Sequence, residues 1–162
     1  MVDPDVILGE GVRIFNRDLV NLFGCSIGDH SFVGPFVEIT RGVEIGRHCI
    51  VESHSFICTG VVVKDHVFIG HGVMFVNDFY PRTDRHVVYP RTVIEEYSSI
   101  GTNATVLGGV TVGAHSIIGA GSVVTRSVPP LSIAAGTPAR VLRSFASLAE
   151  LKDYITSRQA SA

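Results

Sequence analysis

Apolar side chains recur at every sixth position, through Ile27, Val33, Ile39, Ile45, Val51, Ile57, Val63, Ile69 and Phe75, and again through Ile94, Ile100, Val106, Val112, Ile118 and Val124. Four residues after each of these except Phe75 stands a small or β-branched side chain: Ser31, Val37, Val43, Cys49, Ser55, Val61, Val67 and Val73, then Ser98, Ala104, Val110, Ser116, Ser122 and Val128. Each hexad therefore has two inward positions. A period of six fits neither the 3.6 of an α-helix nor the simple alternation of a hairpin strand, but it suits short strands joined by regular corners.

Three such hexads make one triangular coil, and about six coils are expected between Leu8 and Pro129, with one slip near Ser26. Equivalent positions then stack at the roughly 4.8 Å spacing of paired strands, burying columns of Val and Ile on every coil. Glycine follows the inward residue in Ile45-Gly46, Ile100-Gly101 and Ile118-Gly119, where the chain bends.

With 162 residues the chain suits one domain. Its net charge of −2 and charged fraction of 17% provide no basic field for nucleic acid or an anionic membrane. Cys25, Cys49 and Cys58 lack CxxC spacing and no secretory leader opens the sequence, so a reducing cytoplasm is expected. No apolar run approaches the roughly 20 residues of a spanning helix, so neither a membrane nor a nucleic acid is expected as a partner.

The repeat is broken twice. Residues 79–93 read FYPRTDRHVVYPRTV and are expected to project from a corner, because a long loop in a regular solenoid usually serves a function. Residues 144–162 follow the solenoid domain of 1–143; there Ser147 and Glu150 form a capping box and Leu148, Leu151 and Ile155 share one helical face. That helix is expected to pack on the last coil and cover its edge.

With its hexads and the run from Val110 to Arg143 ending in Gly136-Thr137-Pro138-Ala139-Arg140, the sequence resembles the hexapeptide-repeat acyltransferases over roughly residues 6–143. The resemblance implies an all-β fold, a left-handed parallel β-helix of hexapeptide repeats with an extended loop and a C-terminal α-helix. Handedness comes from the resemblance alone, since the general rule for parallel crossovers is right-handed. Acetyl-coenzyme A is the implied co-substrate, and no metal is expected. Thr102, Ala120 and Pro138 are each separated by three hexads and are expected to form a column whose backbone N–H groups grip the pantetheine arm. Arg126, Arg140 and Arg143 are the expected phosphate partners.

Where O-acetyltransferases of this family carry a histidine before the loop, this chain reads Phe75-Val76-Asn77-Asp78-Phe79-Tyr80-Pro81-Arg82. That F-x-N-D-x-x-P-R pattern resembles the branch that acetylates amines of nucleotide-linked sugars. A neutral amine attacks unaided and needs only a later proton acceptor, so a weaker base suffices. Asn77 is assigned to orienting or hydrogen-bonding the nucleophile and Asp78 to accepting a proton or pairing with an ammonium, with ordinary turn chemistry as the plain alternative for both. His54 is a further catalytic candidate, and Glu52, His71, Tyr80 and Arg82 are candidates for substrate binding. In the loop, Arg85 and Arg91 are further phosphate candidates, Tyr89 is a stacking candidate, and His86 reaches a substrate only if the loop folds over it. His30, His48, His66 and His115 share one hexad place and read as an outward corner column.

Three other readings stand beside this one. The acceptor is a hydroxyl of a sugar or of serine, with His54 or His71 as base. The chain is a zinc carbonic anhydrase-like enzyme using His30, His66 and His71, although their register differs from that family's. Or it is a scaffold without catalysis. The resemblance also implies a homotrimer with coenzyme A between neighbouring subunits, and the outward Phe32, Phe36, Phe56, Phe68 and Met74 fit such an interface.

Overall fold

The computed structural model describes residues 1–81, 83 and 88–160. The chain winds as a parallel β-solenoid whose three sides are a six-stranded, an eight-stranded and a second six-stranded sheet. Ile7–Leu8, Arg13–Ile14 and Asn21–Leu22 open these sheets, and Ser26–Ile27, Phe32–Val33 and Glu38–Ile39 pair with them one coil later. Six coils supply a strand to all three sides, and a seventh partial coil adds the bridge Val112 to Val128 and the strand Ser132–Gly136. The solenoid thus runs past the expected end at Pro129, because Ser132 and Ala134 still fill inward positions.

Every inward residue read from the hexads is buried. Full burial of a Val, Ile or Phe stabilises by about 1.5–3 kcal/mol each, and these columns form one continuous core along the axis. The inward serines work by hydrogen bonding instead. The Ser31 hydroxyl donates to the Gly46 carbonyl and accepts from the Cys49 N–H, both at 2.9 Å. Ser55 does the same between the Gly70 carbonyl and the Val73 N–H.

The slip near Ser26 has a visible cause. In the first coil Ile7 pairs with Ser26 and Arg13 with Phe32, each one residue more than three hexads, whereas Asn21 pairs with Glu38, one residue fewer. A 3-10 turn at Arg17–Leu19 lengthens one corner, and the next is a residue short.

At the corner between the first and second sheets, His30, His48, His66, Tyr97 and His115 all have left-handed backbone, with φ between 54° and 60°. Their rings stack in order at centroid distances of 5.2, 4.9, 4.6 and 4.9 Å. The coil spacing sets the ring spacing. Tyr97 belongs to this column although its number breaks the three-hexad interval after His66, since the loop insertion shifts it.

The long loop leaves after Met74–Val76 and the chain returns as Thr92–Ile94, so Thr92 and Val93 are strand residues paired to Val61 and Val62. At the other end, Ala139–Ser144 turns back antiparallel on Ser132–Gly136 through Thr137 and Pro138, which are joined by a cis peptide bond. This strand, not the helix, occupies the edge of the eight-stranded sheet. The helix Leu148–Gln159 starts at Ser147, whose hydroxyl accepts from the Glu150 N–H, while Glu150 reaches back to the Ala146 N–H. Leu151 is its buried anchor, and the Arg143 guanidinium lies 4.4 Å over Tyr154 and 5.1 Å over Phe145.

Candidate functional site

The corner between the second and third sheets carries Ser53, His71, Thr102 and Ala120 on successive coils, each two residues after an inward Val or Ile. Among the described residues the N–H groups of Thr102 and Ala120 meet no acceptor, while the neighbouring Gly101 and Gly121 N–H groups are spent on the Ile118 and Thr102 carbonyls. A Cβ on Gly101 would lie 2.5 Å from the Ala120 nitrogen. Glycine there keeps the column's backbone bare and approachable.

Pro138 does not continue this column. The last coil is two residues short, with Ile118 paired to Ala134, so Gly136 takes the place above Ala120. Pro138 lies beyond it in the hairpin turn. Gly136 is fixed by its N–H on the Ser122 hydroxyl at 3.2 Å.

At the lower end of the column three side chains meet. Ser53 Oγ lies 2.8 Å from His71 Nδ1, and His71 Nε2 lies 3.7 Å from Glu52 Oε2, at ion-pair rather than hydrogen-bond distance. The next position after His71 is Gly72, and a Cβ there would sit 2.3 Å from Asn103 Oδ1. His54, on the same corner, lies against Phe36 in a tilted arrangement with ring centroids 4.8 Å apart.

Asn77 and Asp78 stand at a different corner of the same chain, between the third and first sheets, where the loop departs. Glu52, His54 and His71 therefore do not meet them within one subunit, because each hexad advances the chain to the next of the three corners. Asn77 donates its side-chain N–H to the Thr59 carbonyl at 2.9 Å, a rung between coils. Asp78 Oδ1 accepts from the Tyr80 N–H at 3.1 Å, which is turn chemistry opening the loop. Tyr80 is exposed. Arg126 is exposed on this corner, two coils above Asn77. Arg82, Arg85 and His86 lie outside the described residues.

Arg140 and Arg143 both lie on the terminal strand Ala139–Ser144. Both are exposed, and the Arg143 guanidinium also lies over the Phe145 and Tyr154 rings and ties the strand to the helix. His30 and His66 belong to the ring stack of one corner and His71 to another, so these three do not converge on a zinc ion within one chain. Among the described residues no group of three or more His, Cys, Asp or Glu is placed to hold a metal. A depression of about 470 Å³ beside the ring stack is lined by Arg47, Lys64, Asp65, His66, Glu96 and Tyr97. There the Arg47 backbone N–H and guanidinium both bond Asp65 and hold its carboxyl below the usual range.

Sequence reasoning missed Ser53 and Asn103. The signal for Ser53 was present in its three-hexad separation from His71. Asn103 carried no such signal, since its contact with Gly72 depends on side-chain direction.

The sequence matches the bacterial transferase hexapeptide family (six repeats) over residues 24–59 and 91–126. A bifunctional GlmU protein of Heliobacterium modesticaldum is 39% identical over 145 residues, which are 80% of this chain and 30% of that protein. The chain spans about a third of the length of such relatives. Galactoside O-acetyltransferase of Escherichia coli (strain K12) is 30% identical over 139 residues, 80% of this chain and 68% of that one. A crystal structure of a hexapeptide-repeat acetyltransferase from Vibrio cholerae O1 biovar eltor, complexed with acetyl coenzyme A, superposes with a TM-score of 0.69 at 33% identity, covering 81% of this chain and 74% of that one. With buried hexads on every coil and these matches along most of its length, the chain belongs to the hexapeptide-repeat acetyltransferases.

Proposed function

We propose that the protein transfers an acetyl group from acetyl-coenzyme A to an amine of a nucleotide-linked sugar. The observation that carries this reading is the bare column of Thr102 and Ala120, two unpaired N–H groups leading down to the Ser53, His71 and Glu52 cluster. An extended pantetheine arm hydrogen-bonds such a column and delivers its thioester to that cluster, with the phosphates toward Arg140 of the same subunit and Arg126 of a neighbouring one. The Vibrio cholerae relative in its acetyl coenzyme A complex supports this use of the fold. The amine follows from the F-x-N-D-x-x-P-R pattern at Phe75 to Arg82, in which Asn77 orients the acceptor and Asp78 accepts a hydrogen bond from its neutral amine.

A second reading, a hydroxyl acceptor, gains from the hydrogen bond of His71 to Ser53, which supplies the base that the missing loop histidine had left open. The Escherichia coli relative is an O-acetyltransferase.

The working unit in this proposal is a homotrimer. Phe32, Ile50 and Phe68 stack outward on one side of the His71 corner and Phe56 and Met74 on the other, with Phe36 on the corner itself. A neighbour covering this surface brings its own Asn77 corner to the first subunit's His71. The cytoplasm is the proposed compartment, consistent with three free buried cysteines. Among the described residues no helix is long and apolar enough to cross a membrane.

The test is thiol release from acetyl-coenzyme A, followed with a chromogenic disulfide, against a panel of nucleotide-linked amino sugars, matched hydroxyl sugars and serine. Burial pushes the Cys25 and Cys58 thiols up to about 11, so the protein's own cysteines stay protonated in the assay. Release with an amine alone is expected. Release with a hydroxyl alone moves the protein to the second reading, and no release across the panel overturns both.

A further inference from the structure

We propose that Ser53, His71 and Glu52 form a proton relay for this transfer, with Ser53 and His71 moving the proton and Glu52 positioning the imidazole. The inference rests on the proposed function, because it needs the thioester to arrive along the Thr102 and Ala120 column.

The geometry sets the direction of the relay. Glu52 Oε2 lies on the Nε2 side of His71 and favours a proton there. Nδ1 is then left with a lone pair toward Ser53 Oγ at 2.8 Å, so the serine donates to the ring and keeps its own lone pairs for an incoming N–H. In this column Pro35 lies on the coil below and Thr102 and Asn103 on the coil above, and none of them titrates near neutral pH. His54 is the other titratable group on this corner, and its ring is turned onto Phe36. Glu52 is therefore the carboxylate that faces the His71 ring. The ring is accessible, with 58% of the His71 side chain exposed.

A neutral amine attacks the thioester carbonyl and the N–C bond forms. The nitrogen gives a proton to Ser53 Oγ as the serine proton passes to His71 Nδ1, leaving an imidazolium beside Glu52. The C–S bond breaks, and the imidazolium proton returns through Ser53 to the departing thiolate, giving the amide and free thiol. With the proton acceptor at the His71 corner, the Asn77 corner needs no histidine.

Two measurements test the relay. The first needs no acceptor: nitrogen-15 NMR of the ring nitrogens reads the tautomer of neutral His71, assigned by comparison with His71→Gln. The proton is expected on Nε2 in the wild type, with the ratio moving toward Nδ1–H in Ser53→Ala. A dominant Nδ1–H tautomer in the wild type overturns the relay, since the serine then has no lone pair to donate into. The second is kinetic, with the acceptor found in the panel. Ser53→Ala and His71→Gln are expected to lower kcat about 10²–10⁴-fold with the KM for acetyl-coenzyme A unchanged. Glu52→Gln is expected to have a smaller effect on kcat and to move the His71 tautomer ratio toward Nδ1–H. Circular dichroism checks that each variant is folded. Wild-type kcat in folded Ser53→Ala and His71→Gln overturns the relay while leaving the proposed function standing. Wild-type protein that turns over no acceptor overturns the proposed function, and the tautomer still decides the relay's ground state.

Discussion

Single residues in this solenoid are read through the positions above and below them. The hydroxyl of Ser55, buried in the core, closes two hydrogen bonds, donating to the Gly70 carbonyl at 2.9 Å and accepting from the Val73 N–H at 3.2 Å. Ser55→Ala removes both partners and leaves two backbone groups unsatisfied away from water. A loss of about 1–3 kcal/mol is expected, measured by urea unfolding, and wild-type stability would show that the hydroxyl adds nothing at that position. The sequence marks this position as small or β-branched and inward, but the hydrogen bonds are invisible in it, because Ser, Ala, Cys and Val all occur there. The same limit applies to His71. Its number places it one full coil after Ser53, yet only side-chain direction shows that the two touch.

The returning end of the loop is packed against two glycines. Gly60 has φ +97°, and a Cβ on it would lie 2.9 Å from the Pro90 carbonyl oxygen; a Cβ on Gly108 would lie 2.7 Å from Pro90 Cγ. Bare backbone at these two glycines lets the returning segment lie against the corner that carries Asn77. Gly60→Ala strains the backbone and pushes Pro90 outward, and a loss of about 1–3 kcal/mol is expected. The KM for the acceptor should rise more than that for acetyl-coenzyme A, because the loop begins and ends at the Asn77 corner. Equal changes in both would detach the loop from acceptor binding. The interruption of the repeat is plain in the sequence, while its return is placed two residues early by the strand Thr92–Ile94. Thr and Val serve a strand and a loop end equally well, and pairing with Val61 and Val62 decides between them. The terminal strand Ala139–Ser144 was hidden for a related reason: it pairs antiparallel and obeys no hexad.

At the scale of the whole molecule, the outward stack of Phe32, Ile50 and Phe68 is the surface that a neighbouring subunit is proposed to cover. Light scattering should give three times the 17.4 kDa chain mass, and a monomeric mass would remove the shared site, leaving the Asn77 and His71 corners to work apart. The sequence by itself determined the solenoid and its core, because a six-residue period admits few other ways to bury two positions per hexad, and all of those positions are buried. It also marked the loop, the helix cap at Ser147 and the column of Thr102 and Ala120. Tertiary structure alone decided which candidates share a corner. It separated Glu52, His54 and His71 from Asn77 and Asp78, set Gly136 rather than Pro138 above Ala120, and engaged Arg143 with Phe145 and Tyr154. The physical reason is that a repeat fixes position modulo its period, whereas a one- or two-residue change in the length of a single coil shifts which side chains stand over one another.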